Sequence, residues 1–306
     1  MDVAPRETDP NMKRAVISFL LGNTTKTRLL ILCAVVTIIC GPAYAANYAL
    51  EFDGSDDIAI IPNSNDYNFG QDDFTIDLWI KFNSFSHSRF SYILSNYNNM
   101  NQGFEIYYDA YISQLIYYAD DYVTVNWAPV TGQWYHIAYS ISGPSTKFFL
   151  DGAQIDVDKA STNVTDSINS LQIGAYYNGA LYYDFYLDGS IDELRIWDYA
   201  RTPEDINYWK NYSLSGNEQG LVSYWDFNEG SGSILHDKSG NGHDGVLGTT
   251  NIDGGSVPVW TASEAPVTPV PEPATMLLFG LGGACLAVLR RRKIWHQKSL
   301  ELGSVS

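Results

Sequence analysis

Four carboxylates fall within seven residues at Glu51-Phe52-Asp53-Gly54-Ser55-Asp56-Asp57. Hard oxygen donors at this density suit Ca²⁺, which takes six to eight oxygens in irregular geometry. Asp53, Asp56 and Asp57 are candidate calcium ligands. Asp188, Asp192 and Glu193 of "LDGSIDE" join them, on a late strand and turn that could meet the first in a folded sandwich. The plain alternative is that Asp53 makes an Asx-turn while Asp192 and Glu193 are solvated or cap backbone groups. A second acidic loop, "DKSGNGHDG" from Asp237 to Gly245, reads instead as a turn. Gly240, Gly242 and Gly245 there would supply positive φ.

The other chemistry-bearing feature is aromatic. The chain has 22 tyrosines, many of them in "EIYYDAYISQLIYYADDYVTVNW". Aromatic rings stack on the C–H faces of sugars, so Tyr108, Tyr111, Tyr118, Tyr122 and Trp127 are candidate glycan contacts. Against this, tyrosine favours half-buried strands for packing reasons alone. The sequence holds no G-x-S-x-G elbow, His-Glu-x-x-His motif or phosphate loop.

These residues are positioned by strands. "FTIDLWIKF" alternates Phe74, Ile76, Leu78, Ile80 and Phe82 on one face with Thr75, Asp77, Trp79 and Lys81 on the other. "WYHIAYSIS" and "TKFFLDG" are joined by the turn signal Gly143-Pro144. Many short strands between turns predict an all-β sandwich. "TPEDINYWKNY" alone reads as helix, with Thr202 as N-cap, Pro203 in the first turn, and Glu204 and Asp205 favouring the dipole.

Charge narrows the function classes. The formal net charge is −17, and the middle is more acidic still. Residues 46–269 hold eight basic and thirty acidic side chains, a formal charge of −22. Such a surface repels nucleic acid. Of three cysteines, Cys33 and Cys40 lie near the N-terminus and Cys285 near the C-terminus. The body between them has neither a disulfide framework nor a thiolate metal site.

The ends read as addresses. Lys26 and Arg28 precede the apolar run Leu29–Ile39, and Ala43-Tyr44-Ala45 is a small-x-small cleavage site, so residues 1–45 form an export signal with an N-terminal extension. Translation from Met12 is an alternative start, and Ile39 before Cys40 argues against a lipoprotein signal. Residues 261–269 read as a Pro-rich linker. Beyond it lie Val270-Pro271-Glu272-Pro273, the apolar run Ala274–Leu289 and Arg290-Arg291-Arg292-Lys293. That run has 16 residues, short for a bilayer span of about 20.

"ALEFDGSDDIAI", "FTIDLWIKF", "GQWYHIAYSI", "KFFLDGAQI", "LQIGA" and "LDGSIDELRIWDYARTPEDI" resemble, in order, a LamG-like domain of the concanavalin A-like lectin/glucanase superfamily. The resemblance implies a two-sheet antiparallel jelly-roll over residues 46–260, flanked by an N-terminal signal helix and a C-terminal short membrane helix. Glucanases of this superfamily use E-x-D-x-E or E-x-D-x-x-E, with two carboxylates as nucleophile and acid/base. Here the third position is Ser55 or Asp56, and Gly54 favours a turn, so glycosidase activity is not expected. Residues 270–293 resemble a PEP-CTERM sorting signal, with residues 294–306 as a cytoplasmic tail. That resemblance implies processing by an exosortase-type enzyme at the envelope of a Gram-negative bacterium, after transient membrane anchoring. The expectation is an exported surface or matrix protein that binds polysaccharide or mediates adhesion, with calcium as the candidate cofactor. A non-catalytic matrix protein making protein–protein contacts is the alternative.

Overall fold

Strand β3 (Phe74–Phe82) shows why the chain forms a sandwich. Phe74, Ile76, Leu78, Ile80 and Phe82 all point into the core and are almost fully buried. The opposite face is buried too at Thr75, Asp77 and Trp79. Chain after the last long strand lies over it. Trp79 Nε1 donates to the Lys210 carbonyl (2.7 Å) and Thr75 Oγ1 to that of Tyr199 (2.9 Å).

The computed structural model describes residues 47–98, 102–143, 145–155, 157, 164–177, 183–248 and 257–268. The export signal, the sorting signal with its expected membrane helix, and the tail lie outside the described residues. Among the described residues no helix is long and apolar enough to cross a membrane.

In chain order the strands are β1 (Tyr48–Asp53), β2 (Ala59–Ile61), β3, β4 (Phe90–Ser95), β5 (Glu105–Asp109), β6 (Gln114–Tyr118) and β7 (Tyr122–Asn126). Then come β8 (Trp134–Ser142), β9 (Ser145–Leu150), β10 (Ala153–Ile155), β11 (Leu171–Ile173), β12 (Tyr176–Tyr177), β13 (Tyr183–Asp184) and β14 (Asp188–Trp197). After the helix α1 (Pro203–Trp209) follow β15 (Leu221–Trp225), β16 (Ile234–Leu235), β17 (Gly245–Leu247) and β18 (Val259–Ala262). The first sheet runs β10-β9-β8-β3-β14-β1-β18, with β15 also on β14. The second runs β16-β17-β2-β11-β4-β5-β6-β7, and β12 and β13 form a separate hairpin. All pairings between these strands are antiparallel, which makes the expected two-sheet jelly-roll. Phe52, Phe82, Phe104, Tyr117, Tyr139, Phe148 and Trp225 fill the space between the sheets. The core is closed by residues of the compact unit Ala46–Val270 itself.

A β-bulge between Asp192 and Arg195 organises β14. Before it, β14 pairs with β1, and after it, with β15. Glu193 takes φ 53 at the bulge, a left-handed conformation that few non-glycine residues adopt. The extra residue keeps both Ile191 and Leu194 in the core while two successive acids stay out of it. On that outer face Arg195 is fully buried, bonded to Glu193 and to the carbonyls of Trp209 and Tyr212. Asp77 accepts from Trp197 Nε1 (2.9 Å) and lies 3.2 Å from His136 Nε2. Burial pushes the Asp77 carboxyl up, but the His136 bond and the Arg195 charge outweigh it and hold it below its usual range. Helix α1 forms as expected, with Thr202 accepting from Asp205 N at its N-cap, and Ile206 packs on Ala138 and Phe149.

Two expectations need correction. Residues 261–269 are not a free linker as far as Thr268. Tyr48 to Glu51 pair with Ala262 to Val259, so Thr261 and Ala262 belong to the edge strand of the first sheet. Ser263 Oγ then donates to Asp192 (2.6 Å), Asn211 Nδ2 to the Pro266 carbonyl (2.6 Å), and Thr268 bridges Tyr212. The β1 edge and the buried Asp192 both needed partners, and the proline-rich strap supplies them through carbonyls and hydroxyls. Second, Gly240 and Gly242 do have positive φ, but Gly245 does not and lies in β17. Glycine is used there for close approach, since a Cβ would sit 3.1 Å from the Ile60 carbonyl oxygen. The turn before it is built on Asp237, whose carboxylate accepts from Tyr224 N, Ser239 N and His243 N.

Candidate functional site

The outer face of the second sheet carries an aromatic surface assembled by cross-strand register. Strand alternation sends Ile106 and Tyr108 inward and leaves Glu105, Tyr107 and Asp109 outside. Tyr107 lies opposite Tyr92 on β4 and Ile116 on β6. Glu105 lies opposite Ser95 and Tyr118, and Tyr118 opposite Tyr122. The Tyr92 and Tyr107 rings stack at 4.7 Å, and Tyr176 of β12 stacks on Tyr92 at 4.9 Å. Toward solvent, Tyr118 packs on Tyr97 (5.2 Å) and on Tyr122 (4.5 Å). Tyr122 is half exposed, and Tyr97, Tyr118 and Tyr176 are partly so. At the end of the face Arg89 grips Asp109 through Nε and Nη2 (2.6–3.1 Å).

Three of the five aromatic candidates lie outside this surface. Tyr108 and Trp127 are core residues, and the Tyr108 hydroxyl donates to the Trp127 carbonyl (3.1 Å). Strand alternation puts the adjacent Tyr107 and Tyr108 on opposite faces, and in the structure it is Tyr108 that packs in the core. Tyr111 is 80% exposed on the β5–β6 turn, beside Arg89. Tyr118 and Tyr122 are on the face. Tyr92, Tyr97, Tyr107, Tyr176, Glu105 and Gln172 join them without having been singled out. Tyr97 and Tyr176 come from segments whose spacing showed no link to the tyrosine-rich stretch. Only pairing across β11, β4 and β5 brings them together.

The face has an uncommon polar floor. Gln172 on β11 lies opposite Ser95, which lies opposite Glu105, so the three form a row across three strands. All three are nine-tenths or more buried although they sit on the outer side of the sheet. Burial pushes the Glu105 carboxyl up to about 8, against a lowering hydrogen bond from the Tyr92 hydroxyl. Among the described residues Gln172 Oε1 has no hydrogen-bond partner.

The acidic turn sits at the rim of the first sheet. Asp53, Asp56 and Asp57 each place an oxygen within 4.8 Å of the others. Asp53 Oδ1 accepts from Ser55 N (2.8 Å) and Asp57 Oδ2 from Asp53 N (2.9 Å), the turn chemistry that competes with metal binding. Asp188 lies opposite Asp53 in register, and Gly54, at φ 78, allows the close approach. The Asp188 carboxylate engages His87 Nδ1 (2.9 Å). Asp192 and Glu193 do not reach this rim. They are buried at the bulge, where Glu193 serves Arg195, Tyr224 and Ser213. Glu51 accepts from Asn83 Nδ2 (3.1 Å).

Among the described residues one triad-like arrangement occurs, and it is sealed. His243 Nδ1 lies 2.8 Å from Ser223 Oγ and its Nε2 2.9 Å from Asp66 Oδ2. Ser223 is fully buried beneath Tyr67, whose hydroxyl is 3.0 Å from Oγ. A nucleophile needs an open face for its substrate, and this serine has none. The arrangement pins the β16–β17 connection and β15 to the loop between β2 and β3.

Residues 52–207 match the family profile of the concanavalin A-like lectin/glucanases superfamily, and residues 269–293 match the PEP-CTERM protein-sorting motif. A search of curated proteins finds no match. Among solved structures, a Bacteroides ovatus protein provisionally assigned to carbohydrate binding aligns with TM-score 0.56 at 18% identity over 73% of this chain. The match spans 62% of that protein's own length, so the likeness is one of fold. The heptameric SAP-like pentraxin of Limulus polyphemus aligns at TM-score 0.39 and 17% identity, over 53% of this chain and 81% of that one. The CBM40 of Ruminococcus gnavus IT-sialidase, bound to α2,3-sialyllactose, aligns at 0.42 and 13%, over 52% and 95%. With half of its length matched by one profile and with its sheets in jelly-roll order, the chain belongs to the concanavalin A-like lectin/glucanase superfamily and carries a PEP-CTERM sorting motif.

Proposed function

We propose that the protein is an exported surface or matrix module that binds a saccharide chain on the tyrosine face of its second sheet. The observation that carries this reading is the solvent-side run Tyr97–Tyr118–Tyr122, three adjoining rings over a polar floor. Rings offer flat apolar area to sugar C–H faces, and the tyrosine hydroxyls offer hydrogen bonds at the edges. The carbohydrate-binding assignment of the Bacteroides fold relative supports the same class. Export and handling by an exosortase-type enzyme follow from the sorting motif and the N-terminal signal. Binding rather than turnover is favoured by the sealed Ser223 and by Gly54, whose φ of 78 turns the chain after Asp53. The test is a glycan array on the body (residues 46–270), with Tyr118→Ala and Tyr122→Ala compared by titration. Each ring lost should weaken binding roughly tenfold or more, with the melting temperature changed little, because both rings are partly exposed. Unchanged affinity in both variants would remove this face from consideration.

Calcium at the Asp53–Asp56–Asp57 rim is a separate proposal, supported by the convergence of three carboxylates within 4.8 Å. Like charges this close repel, and a divalent ion would relieve them. At a calcium concentration about 100 times its Kd, the folded state should gain roughly 3 kcal/mol. Melting curves with calcium and with chelator should then separate by several degrees. Superimposable curves, with no metal in the purified protein, would dismiss the site.

A further inference from the structure

We propose that the buried row Gln172–Ser95–Glu105 is the hydrogen-bonding floor of the tyrosine face, and that it holds an uncharged, hydroxyl-bearing saccharide only while Glu105 keeps its proton. This rests on the glycan reading above and adds ligand class and control to it.

The three side chains occupy matching outward positions on β11, β4 and β5, so they form one continuous polar strip. The strip lies below the surface yet outside the core: Gln172 is 3% exposed, Ser95 fully buried and Glu105 6% exposed. A buried amide oxygen without a donor costs roughly 1–3 kcal/mol, and Gln172 Oε1 is in that state. A ligand hydroxyl that displaced the rings by a small rotation would supply the missing donor. Ser95 is less available, because its Oγ accepts from Tyr97 N (3.2 Å).

The surroundings of Glu105 then decide the charge of the ligand. Tyr92 and, just past it in the chain, Tyr97 face it from β4, Tyr107 from its own strand, Tyr122 from β7 and Tyr176 from β12. Tyr118 on β6 lies directly opposite. Among the described residues no cation acts on Glu105, whose proton affinity is set by burial and the Tyr92 hydroxyl. Asp109 lies two residues along β5, and its charge is held by Arg89. The floor therefore offers nothing to neutralise an acidic sugar, and a uronate laid on it would lose hydration without gaining a partner. A neutral sugar meets no such penalty.

Ligand also couples to the proton. Covering the face removes the last water from Glu105, which favours its neutral form further. By linkage, binding then weakens as pH rises through about 8, where the free protein releases this proton. The tyrosine hydroxyls facing it are pushed above their ordinary value by burial at Tyr92, Tyr97, Tyr107, Tyr122 and Tyr176, so they do not account for a loss near pH 8.

The experiment is an array of neutral and uronate-containing oligosaccharides, read with the body (residues 46–270) at pH 6.5 and pH 9.0. Wild type should bind neutral spots at pH 6.5, lose at least tenfold by pH 9.0, and leave uronate spots blank. Glu105→Gln should hold its signal within twofold across the same range, and Gln172→Leu should weaken binding at both pH values. If Glu105→Gln does not fold, Tyr92→Phe replaces it; removing the hydroxyl that favours the ionised form should move the fall to higher pH. Binding that ignores pH, Glu105 and Gln172 but disappears in Tyr118→Ala would overturn this inference and leave the glycan reading standing. Equal binding of uronates would overturn it as well. Blank arrays at both pH values would overturn both.

Discussion

Glu105 shows how little a residue's type says about its charge. Its strand position places it outside the core, yet tyrosines from β4, β7 and β12 close over it. The stability consequence has a definite sign. The native carboxyl holds its proton up to about 8, whereas the unfolded one releases it near its ordinary 4.5. Between those values the unfolded state binds fewer protons, so this group makes stability fall as pH rises, and the full cost is present above pH 8. The interval corresponds to on the order of 3–5 kcal/mol as an upper bound. Glu105→Gln removes the titration. Urea melts at pH 5 and pH 8.5 should show the variant gaining on wild type by a few kcal/mol at the higher pH. A gap between the two proteins that does not change with pH would mean that Glu105 is ionised and solvated. At this scale the sequence was legible in part. Tyr118 and Tyr122 were identifiable as ring donors, but Tyr107 and Tyr108 are adjacent, and parity alone cannot tell which faces the core. The acids split for the same kind of reason: Asp53, Asp56 and Asp57 are local to one turn, while Asp192 and Glu193 are drawn inside by Arg195 and Ser263, partners that no spacing reveals.

Elements were more readable than residues wherever their signals are local. The β8–β9 turn has Gly143 at φ 50, and Thr202 caps α1 with its own side chain. Both follow from chemistry within a few residues. The bulge in β14 and the docking of 259–268 depend on partners far along the chain, so composition alone misled, and two prolines in nine mostly small or polar residues read as a linker. The strap closes an open edge of β1 and supplies the Ser263 hydroxyl to Asp192, whose carboxyl is pushed well up by burial and by the neighbouring Glu193 charge. Ending the body at residue 258 instead of 268 should therefore cost about 2 kcal/mol or more, a drop of several degrees in the melting temperature. Ser263→Ala should reproduce about half of that loss by leaving a buried oxygen unserved. Equal melting of the two truncations would show that the strap is a linker after all.

At the scale of the whole molecule, a −22 body built as two antiparallel sheets offers one face covered by α1 and its following segment and one face lined with tyrosine. The jelly-roll was legible because strand periodicity and turn residues recur along the entire body. The proposed ligand surface was not, because it is a property of sheet order: β11, β4, β5, β6 and β7 must be neighbours before Gln172, Glu105 and six tyrosines share a surface. The covered face explains why the charged residues of β3 and β14 are structural, and it leaves the outer face of the second sheet open to solvent for the proposed recognition. The most direct measurement is titration of the body, residues 46–270, with the oligosaccharide that gives the strongest array signal, in wild type and in the double variant Tyr118→Ala/Tyr122→Ala. The account predicts saturable binding to wild type and at least a hundredfold weaker binding to the double variant, whose melting temperature stays within a few degrees. Full affinity in a folded double variant would contradict it.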